Sequence, residues 1–239
     1  MQVKTTRHSF NKVAKTYARY ARVQQRVIEH LLKECTPGFY ERILDLGCGE
    51  GGVLRELENF KISTAEFIGV DKALEMLLEH PREGVGACRV RLVHADFEQV
   101  DLSASLCIAS SSLQWAQNLE KLCAQLAGQC DHIALALHTN ASLKEIHEFL
   151  GTPSPLRGKA EILKILQTHF VGFQSKIWIQ HFQENFNTRA EFLAHLKHTG
   201  LLGGGLDFRR AKALRLHAPY ILLSYEVVML VGQLKKGDK

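Results

Sequence analysis

Short apolar runs alternate with stretches of helical period along most of this chain. Ile43, Leu44 and Leu46 form one such run, with a carboxylate, Asp45, inside it. Ala65–Asp71, Val90–Asp96 and Leu106–Ser110 form three more, and residues 131–139 a fifth. Runs of this length and apolar content read as strands buried on both faces. Between them, Val53, Leu54 and Leu57 recur at helical spacing, as do apolar positions over Lys72–His80 and residues 118–130. Helices over 141–150 and 158–169 follow, parted by Thr152-Pro-Ser-Pro155. Lys176–Phe182 alternates polar and apolar residues, and Tyr220–Gly232 is strongly apolar, so both read as strands of an antiparallel tail. A helix at 188–198 and a basic helix around 207–217, joined by Leu201-Leu-Gly-Gly-Gly205, lie between those two. At the other end, Phe10, Val13, Ala14 and Tyr17, then Val23, Val27, Ile28, Leu31 and Leu32, predict helix over 9–34, stopped at Thr36-Pro37-Gly38.

The alternation predicts an α/β fold: a seven-stranded, mostly parallel sheet with helices on both faces. We expect a single domain over 1–239, with an N-terminal helical cap (1–38) and a helical lid insertion (183–219) before the last strand. In such sheets ligands bind where the strands end at their carboxyl side. The residues at those ends are therefore the candidates for chemistry.

The first strand runs into glycines at 47, 49, 51 and 52. Gly47 can supply positive φ in a tight turn, Gly49 can offer bare backbone to a ligand, and Gly51 or Gly52 can let the next helix pack close. The order is G-x-G-x-G-G rather than the dinucleotide fingerprint G-x-G-x-x-G. The second strand ends in Asp71, placed either to accept from ribose hydroxyls or to cap the following helix. The third ends in Asp96-Phe97, a pair suited to an exocyclic amine and a flat ring. The fourth ends in Ser110, whose small side chain leaves room beside the backbone, and leads into Ser111-Ser-Leu-Gln-Trp115.

Composition adds limits. The 239 residues are 46% hydrophobic and 23% charged, ordinary for a globular protein. No apolar run is long enough to span a bilayer, and Met1-Gln-Val-Lys-Thr-Thr-Arg-His lacks the apolar core of a signal peptide, so a cytoplasmic protein without a membrane partner is expected. The six cysteines, at 35, 48, 88, 107, 123 and 130, include no C-x-x-C and read as reduced, packed thiols. His195 and His198 stand one turn apart without a further ligand type beside them, so no metal site is expected. A net charge of +5 suits an acidic partner but is too small to imply nucleic acid.

Taken together, Asp45-Leu-Gly-Cys-Gly-Glu-Gly51 and the strand-end acids resemble the motifs of class I, Rossmann-like methyltransferases that use S-adenosylmethionine (SAM). More narrowly, the chain resembles the malonyl-[acyl-carrier protein] O-methyltransferases of biotin synthesis. That resemblance is carried by Phe10-Asn-Lys-Val-Ala-Lys-Thr-Tyr17 with Gln24, Ser112-Leu-Gln-Trp115 with Asn118-Leu119, and Ala141–His147. Phe192–Gly200 and Ser224-Tyr225-Glu-Val-Val carry it further along the chain. Leu106-Cys107 departs from it, standing where a Phe-Asp pair is common. The resemblance implies SAM as cofactor, with S-adenosylhomocysteine as product. It implies cofactor contacts from Asp45, Gly47, Cys48, Gly49, Gly51, Asp71, Lys72, Asp96, Phe97 and Ser110. Tyr17, Gln114 and Trp115 are the implied catalytic residues, and Lys197, His198 and Arg210 the implied substrate cations. A monomer is expected, its partner a malonyl group on an acidic acyl-carrier protein, which Arg209, Arg210, Lys212 and Arg215 could dock. Two other readings stand beside this one: a SAM enzyme acting on a free small acid such as an aconitate, and a SAM-binding regulatory or RNA-binding module.

Overall fold

A computed structural model of the chain describes residues 14–17, 19–84, 88–101, 103–199, 208–218 and 222–235. Residues 14–17, 19 and 20 are helical, and helix α1 (Arg22–Leu32) follows a break at Ala21. Then come β1 (Gly38–Leu46), α2 (Gly52–Glu56), β2 (Ile62–Asp71), α3 (Leu74–Glu79), β3 (Arg89–His94) and β4 (Ala104–Ser110). They are followed by α4 (Leu119–Gln129), β5 (Cys130–His138), α5 (Lys144–Leu150) and α6 (Lys159–His169). The last elements are β6 (Phe173–Asn185), α7 (Arg189–His198), α8 (Phe208–His217) and β7 (Leu222–Leu234).

The seven strands form one sheet in the order β3-β2-β1-β4-β5-β7-β6. The pairs β1–β2, β1–β4, β2–β3 and β4–β5 are parallel, while β7 runs antiparallel to both β5 and β6. Connections from β1 lead to β2 and β3 on one side, and the chain then returns to place β4 on the other side of β1. That reversal opens a crevice at the carboxyl ends of β1 and β4.

Each face of the sheet has its own core. On one face Val23, Val27 and Leu31 of α1 pack with Val53, Leu54, Ile146 and the lid residues Phe192, Leu196 and Leu214. On the other, Leu119, Leu122 and Leu126 of α4 pack with Ile162 and Leu166 of α6. The lid therefore shares a core with the N-terminal cap. Polar contacts tie them further. Arg22 and Arg26 pair with Glu184 at 3.3 and 3.1 Å. His198 Nδ1 is 2.7 Å from Thr16 Oγ1, and its ring stacks on Tyr20 with centroids 4.6 Å apart.

Several element bounds differ from expectation, among them Lys144–Leu150 for the helix expected over 141–150 and Ile62–Asp71 for the strand expected over 65–71, and two have identifiable reasons. The helix expected over 72–80 spans only Leu74–Glu79, because Asp71 Oδ1 captures the Ala73 N–H at 2.7 Å and His80 is extended ahead of Pro81. The strand expected over 176–182 extends to Phe173–Asn185, since β7 supplies a partner along its whole length. The glycine-rich joint at 201–205 lies outside the described residues.

Candidate active site

The crevice is a cavity of about 340 Å3, within the range of small-molecule sites. Its walls come from the carboxyl ends of β1, β2 and β4, the glycine loop, α1 and Trp115. Gly47, Gly49 and Gly51 have φ of 75°, 55° and 89°, values at which a Cβ is strained. A Cβ at Gly47 would fall 2.3 Å from Ser112 Cβ, and one at Gly51 would fall 2.6 Å from Pro81 Cδ. Those two glycines are required by packing. A Cβ at Gly49 would meet nothing within 4 Å, so that glycine keeps backbone bare toward open space. Gly49→Ala is accordingly expected to cost only about 1–2 kcal/mol of stability. The added methyl is expected to lower cofactor affinity at least roughly tenfold, a loss of about 1.4 kcal/mol. Thermal melting and calorimetric titration with S-adenosylhomocysteine would separate the two effects.

Asp71 Oδ1 accepts the Ala73 N–H at 2.7 Å in a turn just ahead of α3, and its Oδ2 accepts the Gly49 N–H at 3.0 Å, tying the end of β2 to the glycine loop. An ionised carboxylate accepts about four hydrogen bonds, so room remains for ribose hydroxyls. Burial raises its pKa, and the Ala73 and Gly49 N–H groups pull it back. Asp45 is more extreme. It is 1% exposed and its Oδ2 has no partner. Burial pushes its carboxyl well above the ordinary carboxylate range, and the Asp71 charge adds to the shift.

Phe97 and Lys72 line the cavity, but Asp96 lies outside its lining. Asp96 instead caps the turn at Phe97–Gln99, accepting the Glu98 N–H at 3.1 Å, and stands 3.9 Å from Lys72 Nζ. Cys48 and Ser110 line the cavity as expected positions at the loop and at the end of β4. Gly51 supports the loop from behind rather than lining it.

The segment 111–118 is held largely by residues that sequence reasoning passed over. Ser111 adopts a left-handed conformation, φ 59°, at the end of β4. Three bonds hold it there: its N–H donates to Ala136 O at 2.9 Å, its carbonyl accepts from Gln114 Nε2 at 2.7 Å, and His138 Nε2 lies 3.2 Å from its Oγ. Arg157 donates to the carbonyls of Gln114 and Ala116 at 3.3 and 2.7 Å, and Glu98 accepts the N–H groups of Gln117 and Asn118 at 2.9 Å each. Trp115 is thus clamped from both sides. It lines the main cavity and also a small one of about 20 Å3, shared with Gln114, His138 and Tyr225. Burial lowers the His138 pKa to about 4, so this imidazole is neutral at physiological pH.

Tyr17 lines the main cavity, with its phenol pKa raised by burial and by the charges of Glu50 and Asp71. The expected substrate cations Lys197, His198 and Arg210 are not brought to the cavity wall. Lys197 and Arg210 are exposed, and His198 is engaged with Thr16 and Tyr20. Among the described residues no cluster of His, Cys, Asp and Glu is arranged to hold a metal ion.

Residues 43–131 match a family described as a methyltransferase domain. The fold is that of a solved Bacillus subtilis protein, YcgJ, with a TM-score of 0.61 at 14% identity, covering 89% of this chain and 99% of that one. Residues 43–131 are thus similar to a methyltransferase domain, and the fold around them is the Rossmann-like fold of class I methyltransferases. A trans-aconitate 2-methyltransferase from Pseudomonas aeruginosa is 38% identical over 115 residues, which span 47% of this chain and 40% of that protein. A malonyl-[acyl-carrier protein] O-methyltransferase from Acinetobacter baylyi is 27% identical over 209 residues, 81% of this chain and 77% of that protein. The residues present fit SAM: a bare glycine loop, the carboxylate of Asp71 at the end of β2, an aromatic face at Phe97, and buried acceptors without protein partners at Asp45 and Ser110. Among the described residues, the cavity wall takes Tyr17, Ala21, Gln24, Gln25 and Ile28 from the N-terminal helices and none from 183–199 or 208–218.

Proposed function

We propose that the enzyme methylates the free carboxylate of a malonyl thioester carried on an acyl-carrier protein, yielding the methyl ester that enters biotin synthesis. The observation that carries this reading is the extent of the likeness to an enzyme of that name, which runs over 81% of the chain. The free-acid reading draws on the higher identity to the trans-aconitate enzyme, but that likeness covers 47% of the chain.

SAM supplies an activated methyl group on a positive sulfonium. A carboxylate acceptor is already ionised at neutral pH, so the protein need supply no general base. Its residues have to orient and enclose. Trp115 and Tyr17 wall the cavity, and exclusion of water strengthens the attraction between carboxylate and sulfonium. Positioning of this kind contributes up to roughly 7–11 kcal/mol in favourable systems. The neutral His138 supplies no positive charge behind Trp115.

The carrier would dock on α8. Arg209, Arg210, Lys212 and Arg215 are all exposed on this helix, while Leu214 anchors its other side in the core. Charge reversal at Arg209, Lys212 and Arg215 is expected to raise KM for malonyl-carrier protein at least roughly tenfold, as lost electrostatic steering should, with a strong dependence on salt. Turnover of malonyl-coenzyme A or another small thioester should be unchanged. Methylation of aconitate with no product on malonyl-carrier protein would overturn the reading in favour of the free acid.

A further inference from the structure

The N-terminal helices contribute a stripe to the cavity wall: Tyr17, Ala21, Gln24, Gln25 and Ile28, spaced so that one side of a helix faces the ligand. The two glutamines differ. Gln25 is engaged, its Nε2 donating to Glu56 at 2.8 Å and to Glu29 at 3.3 Å. Gln24 is 6% exposed, and its Oε1 has no hydrogen-bond partner. A buried amide oxygen left without a donor costs about 1–3 kcal/mol, so its persistence in the cavity wall points to a ligand that satisfies it.

Two more acceptors in the same cavity share that condition. Asp45 Oδ2, at the end of β1, and Ser110 Oγ, at the end of β4, are buried and unpartnered. The three residues come from three separate elements, α1, β1 and β4, and all line the one cavity. The cations in the wall are committed elsewhere: Arg55 pairs with Glu50 at 3.1 Å, and Lys72 lies 3.9 Å from Asp96. A group that satisfies several acceptors and compensates the Asp45 charge must be a cation with several N–H donors. A primary ammonium has three donors and no acceptor.

We propose that Gln24 is a cofactor-binding residue, its amide oxygen receiving the α-ammonium of the cofactor's amino-acid moiety together with Asp45. The proposal rests on the SAM reading of the cavity. It makes α1 part of the binding site. Since α1 also pairs with Glu184 through Arg22 and Arg26, the same helix carries the ligand contact and the link to β6.

The test compares two ligands by calorimetric titration with no acceptor present. S-adenosylhomocysteine carries the amino-acid moiety, and 5′-methylthioadenosine lacks it. Gln24→Leu is expected to weaken S-adenosylhomocysteine roughly 10- to 100-fold, as loss of a hydrogen bond to a charged group does, and to leave methylthioadenosine unchanged. Gln24→Glu, which keeps an acceptor oxygen at the same reach, should bind S-adenosylhomocysteine more tightly than Gln24→Leu does. Equal loss of both ligands in Gln24→Leu, or loss of neither, would overturn the role of Gln24 while leaving the SAM reading intact. Failure of the wild type to bind either ligand would overturn the SAM reading and this assignment with it.

Discussion

Asp45→Asn is expected to make the empty protein more stable and, at the same time, to disable its cofactor site. The carboxyl is 1% exposed, one of its oxygens has no partner, and the nearby Asp71 charge opposes its ionisation. Its folded pKa is therefore raised above the ordinary value of 3.8. The sign follows from linkage. Below that value the group is neutral in both folded and unfolded chains and costs nothing. As pH rises through it, the unfolded chain ionises while the folded carboxyl holds its proton or bears a buried charge, so stability falls. Asparagine removes this dependence. At pH 7 the variant should gain on the order of 1 kcal/mol, seen as about 2–4 °C in Tm for a chain of this size. Near pH 3.5 the gain should vanish. Affinity for S-adenosylhomocysteine should drop roughly 10- to 100-fold, the scale of a hydrogen bond to a charged group. A variant that loses stability and keeps its affinity would mean that Asp45 is a packing residue.

Gly47→Ala is expected to abolish the site outright. The position combines two constraints that are separate at Gly49. Its φ of 75° costs an alanine about 1–2 kcal/mol. The added Cβ would also fall 2.3 Å from Ser112 Cβ, a contact no rotamer can relieve. Ser112 cannot move cheaply, because its hydroxyl is bonded to the Leu46 carbonyl and its segment leads into Trp115. Overpacking of this kind typically costs a further 1–3 kcal/mol. Together these put the loss at about 2–5 kcal/mol, a large part of the total stability of a domain. Chemical denaturation should show a marked fall in midpoint, and titration should show no binding of S-adenosylhomocysteine. The contrast with Gly49→Ala, where binding suffers more than stability, tells apart a glycine required by packing from one required by the ligand.

The same contrast marks how far the chain could be read without its structure. The strand, glycine turn and helix around Asp45–Gly52 are local, since each residue's conformation depends on neighbours a few positions away, and the turn chemistry is visible in the letters. The five parallel strands, the order of strand-end residues and the convergence of Gly47, Asp71 and Ser110 on one crevice follow from the alternation of elements and the handed connections between them. Lengths were less legible: β6 reaches 13 residues because of its pairing with β7, and the 3-10 turns at Phe97–Gln99 and Leu113–Trp115 have no periodic signal.

What the letters could not carry is the fate of side chains whose partners lie far along the chain. Lys197, His198 and Arg210 look alike in the sequence as basic residues before the last strand, yet His198 lies against Thr16 and Tyr20, more than 180 residues earlier in the case of Thr16. Asp96 reads as a ligand contact but caps its own turn and leaves the cavity wall to Phe97. Arg157 and Glu98, which clamp the Trp115 segment, carry no motif at all. Gln24 is one amide among several on the N-terminal helices, and only packing shows that Gln25 is satisfied and Gln24 is not. Backbone turns obey short-range sterics and are written locally, whereas hydrogen-bond satisfaction is an account closed over the whole molecule, and the tertiary structure alone decides it.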